Sequence, residues 1–340
     1  MNDSTLDALG KSKRASARKR TLYIHIGAHK AGSTSLQLAL AENAEKLRAA
    51  EACYIAHGRF ADAHHFVYYA ALDPAQEKSA AVFGRISAEI EESSARNFFI
   101  SAEGLETLKA PESLTPFHAL KQAHDLEVVV LFLTRHHGEQ MNSAYVQAVR
   151  ELAYSGVFAE FALPRLKRTS RRYRAPIEFW SALADRFIVA QFSPETIQEL
   201  LQTELGVTLD LPHVNASINA LAVEALRLTA AAQMSVVRDR RVGLRKRNEA
   251  LIDRICERAA KRDQRYPKFW GFSPWQWDKL THSCAEDAEF LRARFGVTFA
   301  HRDNRERAMV RAPYSVHEVL HLRDVLGEAA EAALGSISPS

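Results

Sequence analysis

The feature that most constrains the fold of this chain is a short apolar segment that ends in a glycine-rich loop and continues into a helix. Residues 21–26 (TLYIHI) are apolar and β-prone, which predicts a buried strand. The loop Gly27–Ser35 (GAHKAGSTS) follows, and Ala and Leu then recur at helical spacing from Ser33 to about Ala50. A strand, a loop and a helix in this order predict the first unit of an α/β fold.

Further apolar runs alternate with helical patterns along the chain. Strands are predicted at 97–101 (NFFIS), 127–133 (EVVVLFL) and 186–192 (RFIVAQF), and helices at 139–151 and 177–184. Beyond about residue 219 the pattern is helical, over 219–262 and again over 274–295. We therefore predict an α/β fold, a P-loop-type three-layer domain with a central parallel sheet flanked by helices, plus a helical insertion and C-terminal region.

The excess positive charge of the chain lies in residues 1–20. This segment holds six basic and two acidic side chains, which accounts for the whole net charge of +4 and leaves the remainder formally neutral. A globally basic nucleic-acid binder is therefore not indicated, and no nucleic-acid partner is expected. We predict a disordered basic leader (1–20), an α/β domain (21–300) that includes a helical part (219–295), and a helical C-terminal extension (301–340).

Hydropathy and cysteine content indicate the cellular compartment of the protein. No apolar run approaches the ~20 residues that a membrane span requires, and no apolar region follows the basic leader, so neither a transmembrane segment nor a secretory signal is predicted. Cys53, Cys256 and Cys284 match neither a disulfide framework nor a zinc pattern. The sequence thus predicts a cytoplasmic protein, either free or peripheral to the membrane, without a metal site.

The Gly27–Ser35 loop has the composition of a phosphate cradle. Glycines allow consecutive N–H groups to face inward, the following helix adds unpaired donors, and Ser33, Thr34 and Ser35 add hydroxyls. The Walker A pattern places lysine directly after the second glycine, whereas here Lys30 precedes Gly32. The alternative interpretation is a tight turn with a capped helix.

A second anion site is predicted where the strand at 127–133 ends. An ATPase would hold Mg²⁺ with an acidic residue at such a strand tip, but Thr134 and Arg135 occur here instead. Arg135 and Ser143, eight residues later on the predicted helix, are suited to bind one phosphate together. A simple salt bridge of Arg135 is the alternative.

Together the two predicted sites resemble the PAPS-dependent sulfotransferases, in particular bacterial members (PAPS is 3′-phosphoadenosine 5′-phosphosulfate). In that family a K-x-G-[ST]-[ST] core binds the 5′ phosphosulfate, and here it reads Lys30-Ala31-Gly32-Ser33-Thr34. The family pairs an arginine after a strand with a serine eight residues on, as Arg135 and Ser143 are spaced. Looser similarity, including HIGAHKAGSTSLQ (25–37) and ISAEGL (100–105), extends the resemblance over roughly residues 21–300. Ala31 departs from the threonine that is common in these bacterial loops.

The resemblance implies an enzyme that uses PAPS as co-substrate, releases PAP (adenosine 3′,5′-bisphosphate) and requires no metal. It implies Lys30 as the group that stabilises the leaving oxygen, and Glu103 as the first candidate for the general base. His65, with His64 beside it, is the rival base. The predicted donor-binding residues are His29, Lys30, Ala31, Gly32, Ser33, Thr34, Ser35, Arg135 and Ser143. His136 and His137 are expected to flank the 3′-phosphate site.

The acceptor is expected to be a hydroxyl or amine on a carbohydrate or glycolipid, faced by the helical part at 219–295. Basic clusters at Arg165–Arg174 and Arg238–Arg247 either line an acceptor groove or form solvated helix faces. Two other functions stay open: a P-loop small-molecule kinase, and a non-catalytic nucleotide-binding protein.

Overall fold

The structure is a computed structural model, and it describes residues 19–166, 169–212, 218–236, 248–262, 265–299, 309–311 and 313–330. Within these residues the chain forms a five-stranded, all-parallel sheet flanked by helices. The predicted α/β class with a central parallel sheet is therefore confirmed. The predicted disordered leader lies outside the described residues except for Lys19 and Arg20, and so does the basic cluster Arg238–Arg247.

The strands follow the apolar runs of the sequence. They are β1 (Thr21–His25), β2 (Ala52–Tyr54), β3 (Asn97–Ser101), β4 (Glu127–Thr134) and β5 (Arg186–Gln191), in the spatial order β2-β3-β1-β4-β5. β1 is the central strand, and its residue Thr21 pairs with Asn97 on one side and with Glu127 on the other. β2 is absent from the sequence-based prediction, because three residues are too few to show a period.

The helices surround this sheet and continue beyond it. Their bounds are α1 (Ser33–Glu42), α2 (Ala44–Ala49), α3 (His65–Leu72), α4 (Glu77–Glu92), α5 (Thr115–Ala123), α6 (His137–Arg150), α7 (Phe158–Leu166), α8 (Arg174–Trp180), α9 (Pro194–Leu205), α10 (Ala220–Val236), α11 (Glu249–Ala260), α12 (Pro274–Phe295) and α13 (Val316–Leu326). The prediction of a helix over 274–295 is confirmed to the residue. Its start carries a complete capping box between Ser273 and Gln276, and it ends at Gly296 in the left-handed region.

The single helix predicted over 33–50 is wrong in one respect, because two helices meet at Asn43. The Asn43 side chain donates to the carbonyls of Ala39 (2.8 Å) and Asp210 (3.3 Å), and it accepts from the Asp210 N–H (3.4 Å). An asparagine side chain that bonds to the backbone competes with helical hydrogen bonding. The helical pattern of Ala and Leu continues on both sides, so periodicity alone did not show the break.

Two hydrophobic cores are present in the described chain. The first packs the sheet against its helices, around β1, β3 and β4, whose side chains are almost fully buried. The second is helical and lies among α6, α7 and α10–α13. Asp287, on α12, is completely buried near their junction and accepts hydrogen bonds from the N–H groups of Tyr173 (2.9 Å) and Arg174 (2.8 Å). It also hydrogen-bonds to His137 Nε2 (2.8 Å) at the start of α6, and so joins three segments.

We predict that Asp287→Ala lowers the free energy of unfolding by roughly 3 kcal/mol or more. The substitution leaves two backbone N–H groups and the His137 ring buried without their partner, and breaking a buried polar pair costs about that much. Urea unfolding measures the change. Glu289→Ala is the matched control on the same helix, because Glu289 is exposed and forms a surface ion pair with Arg292, three residues on. Equal effects of the two substitutions would contradict the role assigned to Asp287.

Candidate functional site

The loop 27–35 begins at the edge of the sheet where β4 also ends. Pairing with β4 continues beyond β1, through the Ile26 N–H to the Leu131 carbonyl (3.0 Å) and the Ala28 N–H to the Leu133 carbonyl (2.7 Å). The chain then turns through positive φ angles at Lys30 (64°) and Gly32 (82°). The first half of the loop is thereby anchored to β4, and the second half leads directly into α1.

Hydrogen bonds within the loop close its turn, and the start of α1 is left without a side-chain cap. The Ala31 N–H and the Ser33 hydroxyl both reach the Ala28 carbonyl (3.0 and 3.4 Å), which closes the turn. No side chain of the described residues caps α1, whose N-cap is Gly32. The first N–H groups of a helix have no intrahelical acceptor and favour an anion. Thr34 and Ser35 belong to this first turn of α1, where Thr34 is exposed and Ser35 is half-buried.

Gly32 is required by close packing as well as by backbone conformation. A Cβ atom built at this position would lie 2.0 Å from the ring of Phe192, the residue that follows β5. Phe192 is held in place by its N–H, which donates to the Thr134 carbonyl (2.8 Å). The loop is thus pressed against the ends of both β4 and β5.

Arg135, directly after β4, reaches the loop. Its Nη1 donates to the Lys30 carbonyl at 3.4 Å, and its Nε donates to Glu139 Oε2 at 3.0 Å. The Tyr173 hydroxyl donates to the Arg135 carbonyl and accepts from its N–H, which holds the backbone of Arg135 in place. The structure therefore brings together Lys30 and Arg135, which the sequence assigned to two separate phosphates.

Ser143 lies half-buried on α6, one turn beyond Glu139. Glu139 therefore stands between Arg135 and Ser143 along the helix. Sequence reasoning missed this carboxylate, although its spacing of four residues from Arg135 was a signal for an ion pair. Any anion that binds Arg135 competes with Glu139.

Lys30 is a cation in a partly dry environment. Burial lowers its pKa below the usual lysine value, and the positive charge of Arg135 acts in the same direction, while Glu103 opposes both. A cation in such surroundings interacts more strongly with a bound anion than a solvated lysine does. This is the electrostatic setting that an anion-binding lysine needs.

Glu103 begins a 3-10 turn (Glu103–Thr107) just after β3, on the other side of β1. Its side chain is 28% exposed, and its Oε2 lies 4.0 Å from His29 Nε2. The Ala102 N–H donates to the His25 carbonyl (3.0 Å) and thereby fixes this segment against the end of β1. Glu103 thus lies beside the loop at the same sheet edge.

The two histidines proposed as rival bases have different surroundings. His64 is fully buried, its Nε2 contacts the Ile55 carbonyl (2.8 Å), and its Nδ1 accepts from the Ser101 N–H (3.1 Å). Burial lowers the pKa of His64 to about 4. Both ring nitrogens are therefore occupied by backbone. His65 is exposed at the start of α3, with its ring edge-on to Phe60 at 6.4 Å.

A buried ion pair adjoins the loop that sequence reasoning did not foresee. Both nitrogens of the Arg172 fork donate to the Glu106 carboxylate, at 2.8 and 2.9 Å. The same carboxylate accepts from the His29 N–H (3.1 Å) and hydrogen-bonds to the His29 ring. Gln140 on α6 completes the group, since its amide donates to the His29 carbonyl at 3.0 Å.

The side chains of the basic cluster Arg165–Arg174 have different environments in the structure. Arg171 and Arg174 are exposed and pair with Glu178, and Arg165 packs over the Phe161 ring. These three positions match the solvated-face alternative, whereas Arg172 belongs to the buried group beside the loop. Lys167 and Arg168 lie outside the described residues.

His136 and His137, expected to flank the second anion site, serve the helix start and the interior. The His136 ring accepts from the Gly138 N–H (3.1 Å) as the N-cap of α6, and it stacks on Trp277 at 4.7 Å. His137 is buried against Asp287. Both side chains position α6 and with it Glu139, Gln140 and Ser143.

We predict that Gly32→Ala costs roughly 3 kcal/mol of stability, because it combines left-handed strain with overpacking against Phe192. Gly206→Ala is the control, since Gly206 also has positive φ (67°) but its added Cβ meets nothing within 4 Å; we expect about 1 kcal/mol there. Urea unfolding of both variants measures the difference. Combining Gly32→Ala with Phe192→Ala should recover part of the overpacking cost, and independent, additive effects would contradict the contact.

In the part of the chain that the structure describes, no helix is both long enough and apolar enough to span a bilayer, and no group of three or more His, Cys, Asp or Glu side chains is arranged to hold a metal ion. Among known proteins, no family model, no curated sequence and no solved structure matches the chain.

Proposed function

We propose that this protein is a P-loop-type sulfotransferase that moves a sulfuryl group from PAPS to a hydroxyl or amine. The observation that carries the proposal is the convergence of Lys30, in the glycine loop after β1, and Arg135, after the neighbouring β4, with Arg135 Nη1 3.4 Å from the Lys30 carbonyl. Two cations from two strand ends suit a donor with phosphates at both its 5′ and 3′ positions.

The loop residues fit the 5′ end of such a donor. The uncapped start of α1 supplies N–H groups, Thr34 and Ser35 supply hydroxyls, and Lys30 supplies charge. The Ser33 side chain, also predicted to bind the donor, is buried, and its hydroxyl donates to the Ala28 carbonyl. The small Ala31 side chain is fully buried, so its lack of a hydroxyl removes no group from the exposed surface of the loop. His29 lies within the loop, and its Nε2 is 4.0 Å from Glu103 Oε2.

The 3′ end of the donor is assigned to Arg135 and Ser143. Arg135 is only 35% exposed, so an anion that replaces Glu139 there would be partly shielded from water. The cost of displacing Glu139 reduces the affinity that this site provides. The 3′-phosphate contribution is therefore expected to be moderate.

Sulfuryl transfer is an in-line displacement, so charge develops on the oxygen that bridges sulfur and the 5′ phosphate. Lys30 is the group in the loop that can stabilise this oxygen. On the opposite side of the sulfur a base must take the proton of the acceptor, and Glu103 is the first candidate because it lies at the same sheet edge beside the loop.

A carbohydrate or glycolipid acceptor is part of the proposal. Exposed aromatic side chains occur on α3, where Phe66 is 49% and Tyr69 61% exposed. Their helix packs on the segment that carries Glu103, since the Tyr68 ring leaves no room for a Cβ at Gly104. Aromatic faces suit sugar rings or an apolar aglycone. Because Cys53, Cys256 and Cys284 are all free, we assign the protein to a reducing, cytoplasmic compartment.

A small-molecule kinase is the second candidate, and one observation favours it. The acidic residue missing after β4 is present after β3, since Glu103 stands at the tip of the other strand beside β1. A carboxylate at such a position suits Mg²⁺ held against a nucleotide. Strict dependence of turnover on Mg²⁺, with ATP bound more tightly than PAP, would select the kinase.

We predict that Arg135→Ala weakens PAP binding about 10- to 100-fold, the value of one or two hydrogen bonds to a charged group. Binding of adenosine 5′-monophosphate, which lacks the 3′ phosphate, should change much less. Calorimetry with both ligands gives the ratio. Arg186→Ala is the control, because Arg186 starts β5 at the opposite end of the strand and pairs with Glu204. Equal losses for both ligands would remove Arg135 from the 3′ site.

We predict that Lys30→Ala reduces the turnover number about 10²- to 10³-fold, as expected for loss of one group that stabilises transition-state charge. The assay follows transfer of radiolabelled sulfate from PAPS to a panel of sugars and aryl glycosides. The variant should fold, since Lys30 is only half-buried. Unchanged turnover would exclude Lys30 from the mechanism, and wild-type protein that binds PAP without transfer to any acceptor would support a non-catalytic nucleotide-binding protein.

A further inference from the structure

The Glu106 carboxylate holds the His29 imidazole in one orientation. Glu106 is 3% exposed, and Arg172 and His29 together contact both of its oxygens. Burial alone would raise the pKa of Glu106, but Arg172 and His29 lower it to about 2. The carboxylate is therefore ionised at neutral pH and accepts a hydrogen bond from the Nδ1–H of the ring.

The second ring nitrogen of His29 is the one left to exchange a proton. Its ring is 44% exposed, and Nε2 lies 4.0 Å from Glu103 Oε2. Burial lowers the pKa of His29, and Arg172 lowers it as well, but Glu106 and Glu103 outweigh both and raise it above its usual value. An imidazolium at this position is stabilised by one carboxylate at each end of the ring.

The backbone also fixes His29 next to the group that stabilises the leaving oxygen. His29 precedes Lys30 in the loop, and Gln140 holds the His29 carbonyl while Glu106 holds its N–H. A carboxylate also contacts both the N–H and the ring of a second histidine, His57, whose N–H (3.0 Å) and Nδ1 (2.6 Å) both contact Glu89. That pair lies outside the loop and provides a control.

We propose that His29 is the catalytic base of the transfer and that Glu106 is its positioning residue. This inference rests on the proposed sulfotransferase function. It assigns the His29 side chain to the acceptor proton rather than to donor binding, and it makes His29 instead of Glu103 the immediate proton acceptor. The acceptor hydroxyl or amine gives its proton to Nε2 of neutral His29 while its lone pair forms the new bond to sulfur. The bond between sulfur and the bridging oxygen breaks, its electron pair stays on that oxygen beside Lys30, and the His29 proton passes to solvent after release.

The first test separates donor binding from transfer. His29→Gln should leave PAP affinity, measured by calorimetry, within a few-fold of wild type, and should reduce sulfate transfer from PAPS to p-nitrophenyl β-glucoside or glucosamine about 10²- to 10⁴-fold, the usual worth of a general base. Glu89→Gln, the control at the second histidine–carboxylate pair, should leave both unchanged. If His29→Gln retains transfer while Lys30→Ala loses it, the role of His29 is overturned and the proposed function is not. Wild-type protein that fails to bind PAP overturns the proposed function itself.

The second test measures how kcat/KM depends on pH. If Glu106 had only a structural role, replacing it would not move this pH profile. The base must be neutral to act, so kcat/KM should rise with pH through the pKa of His29, above its usual 6.5. Glu106→Gln removes the charge that retains the proton, so the rising limb should move to lower pH. Glu106→Asp keeps the charge and should leave the limb near its wild-type position.

A direct titration makes the result independent of activity. Histidine ¹³C NMR, with His29→Gln to assign the resonance, reports the pKa of His29 in each folded variant. Because Glu106→Gln leaves Arg172 buried without its partner, Glu106→Gln combined with Arg172→Gln serves as the second variant if the single one does not fold. A limb that stays fixed while the His29 resonance shifts would show that another group is the base, and would overturn the proposal.

Discussion

Parallel pairing of β1 between β3 and β4 is the constraint on which the candidate site depends. Parallel strands carry their carboxyl ends to the same edge of a sheet, so the residues that follow them meet there whatever their distance in sequence. The glycine loop, Glu103 and Arg135 follow these three strands in turn. Hydrogen bonds from Ala28 to Leu133 and from Ala102 to His25 extend the pairing into the loops, which makes the edge rigid where an anion would bind.

The charged groups at this edge differ in their exposure. Lys30 and Arg135 are partly exposed, and Arg135 pairs with Glu139, while Glu106 and Arg172 form an ion pair that contacts His29 through Glu106 and is buried at the Glu106 carboxylate. Buried ion pairs contribute little net stability, so stability alone does not account for Glu106. Its hydrogen bonds to the N–H and the ring of His29 hold one imidazole in a defined orientation, as the proposed role of His29 requires.

Much of the fold was predictable from local pattern. Four of the strands were placed within one residue of their observed ends because continuous apolar runs bounded by polar residues are a local property. The helix at 274–295 was placed correctly because Ser273, Pro274 and Gly296 are local start and stop signals. Asn43 and β2 were missed for the opposite reason: a side chain that bonds to Asp210 and a three-residue strand leave no period to detect.

The same distinction between local pattern and long-range contact applies to the residues of the candidate site. The sequence by itself determined the loop composition, the position of Lys30 before Gly32 and the spacing of Arg135 from Ser143, since these depend on order along the chain. Only the tertiary structure decided that both His64 nitrogens contact backbone groups, and that Glu106 hydrogen-bonds to both His29 and Arg172. Glu106 is 77 positions from His29 and 66 from Arg172. The ion pair of Glu106 with Arg172 and its hydrogen bonds to His29 form only once the parallel sheet has brought those segments together, because electrostatic contacts depend on distance in space and not on distance along the chain.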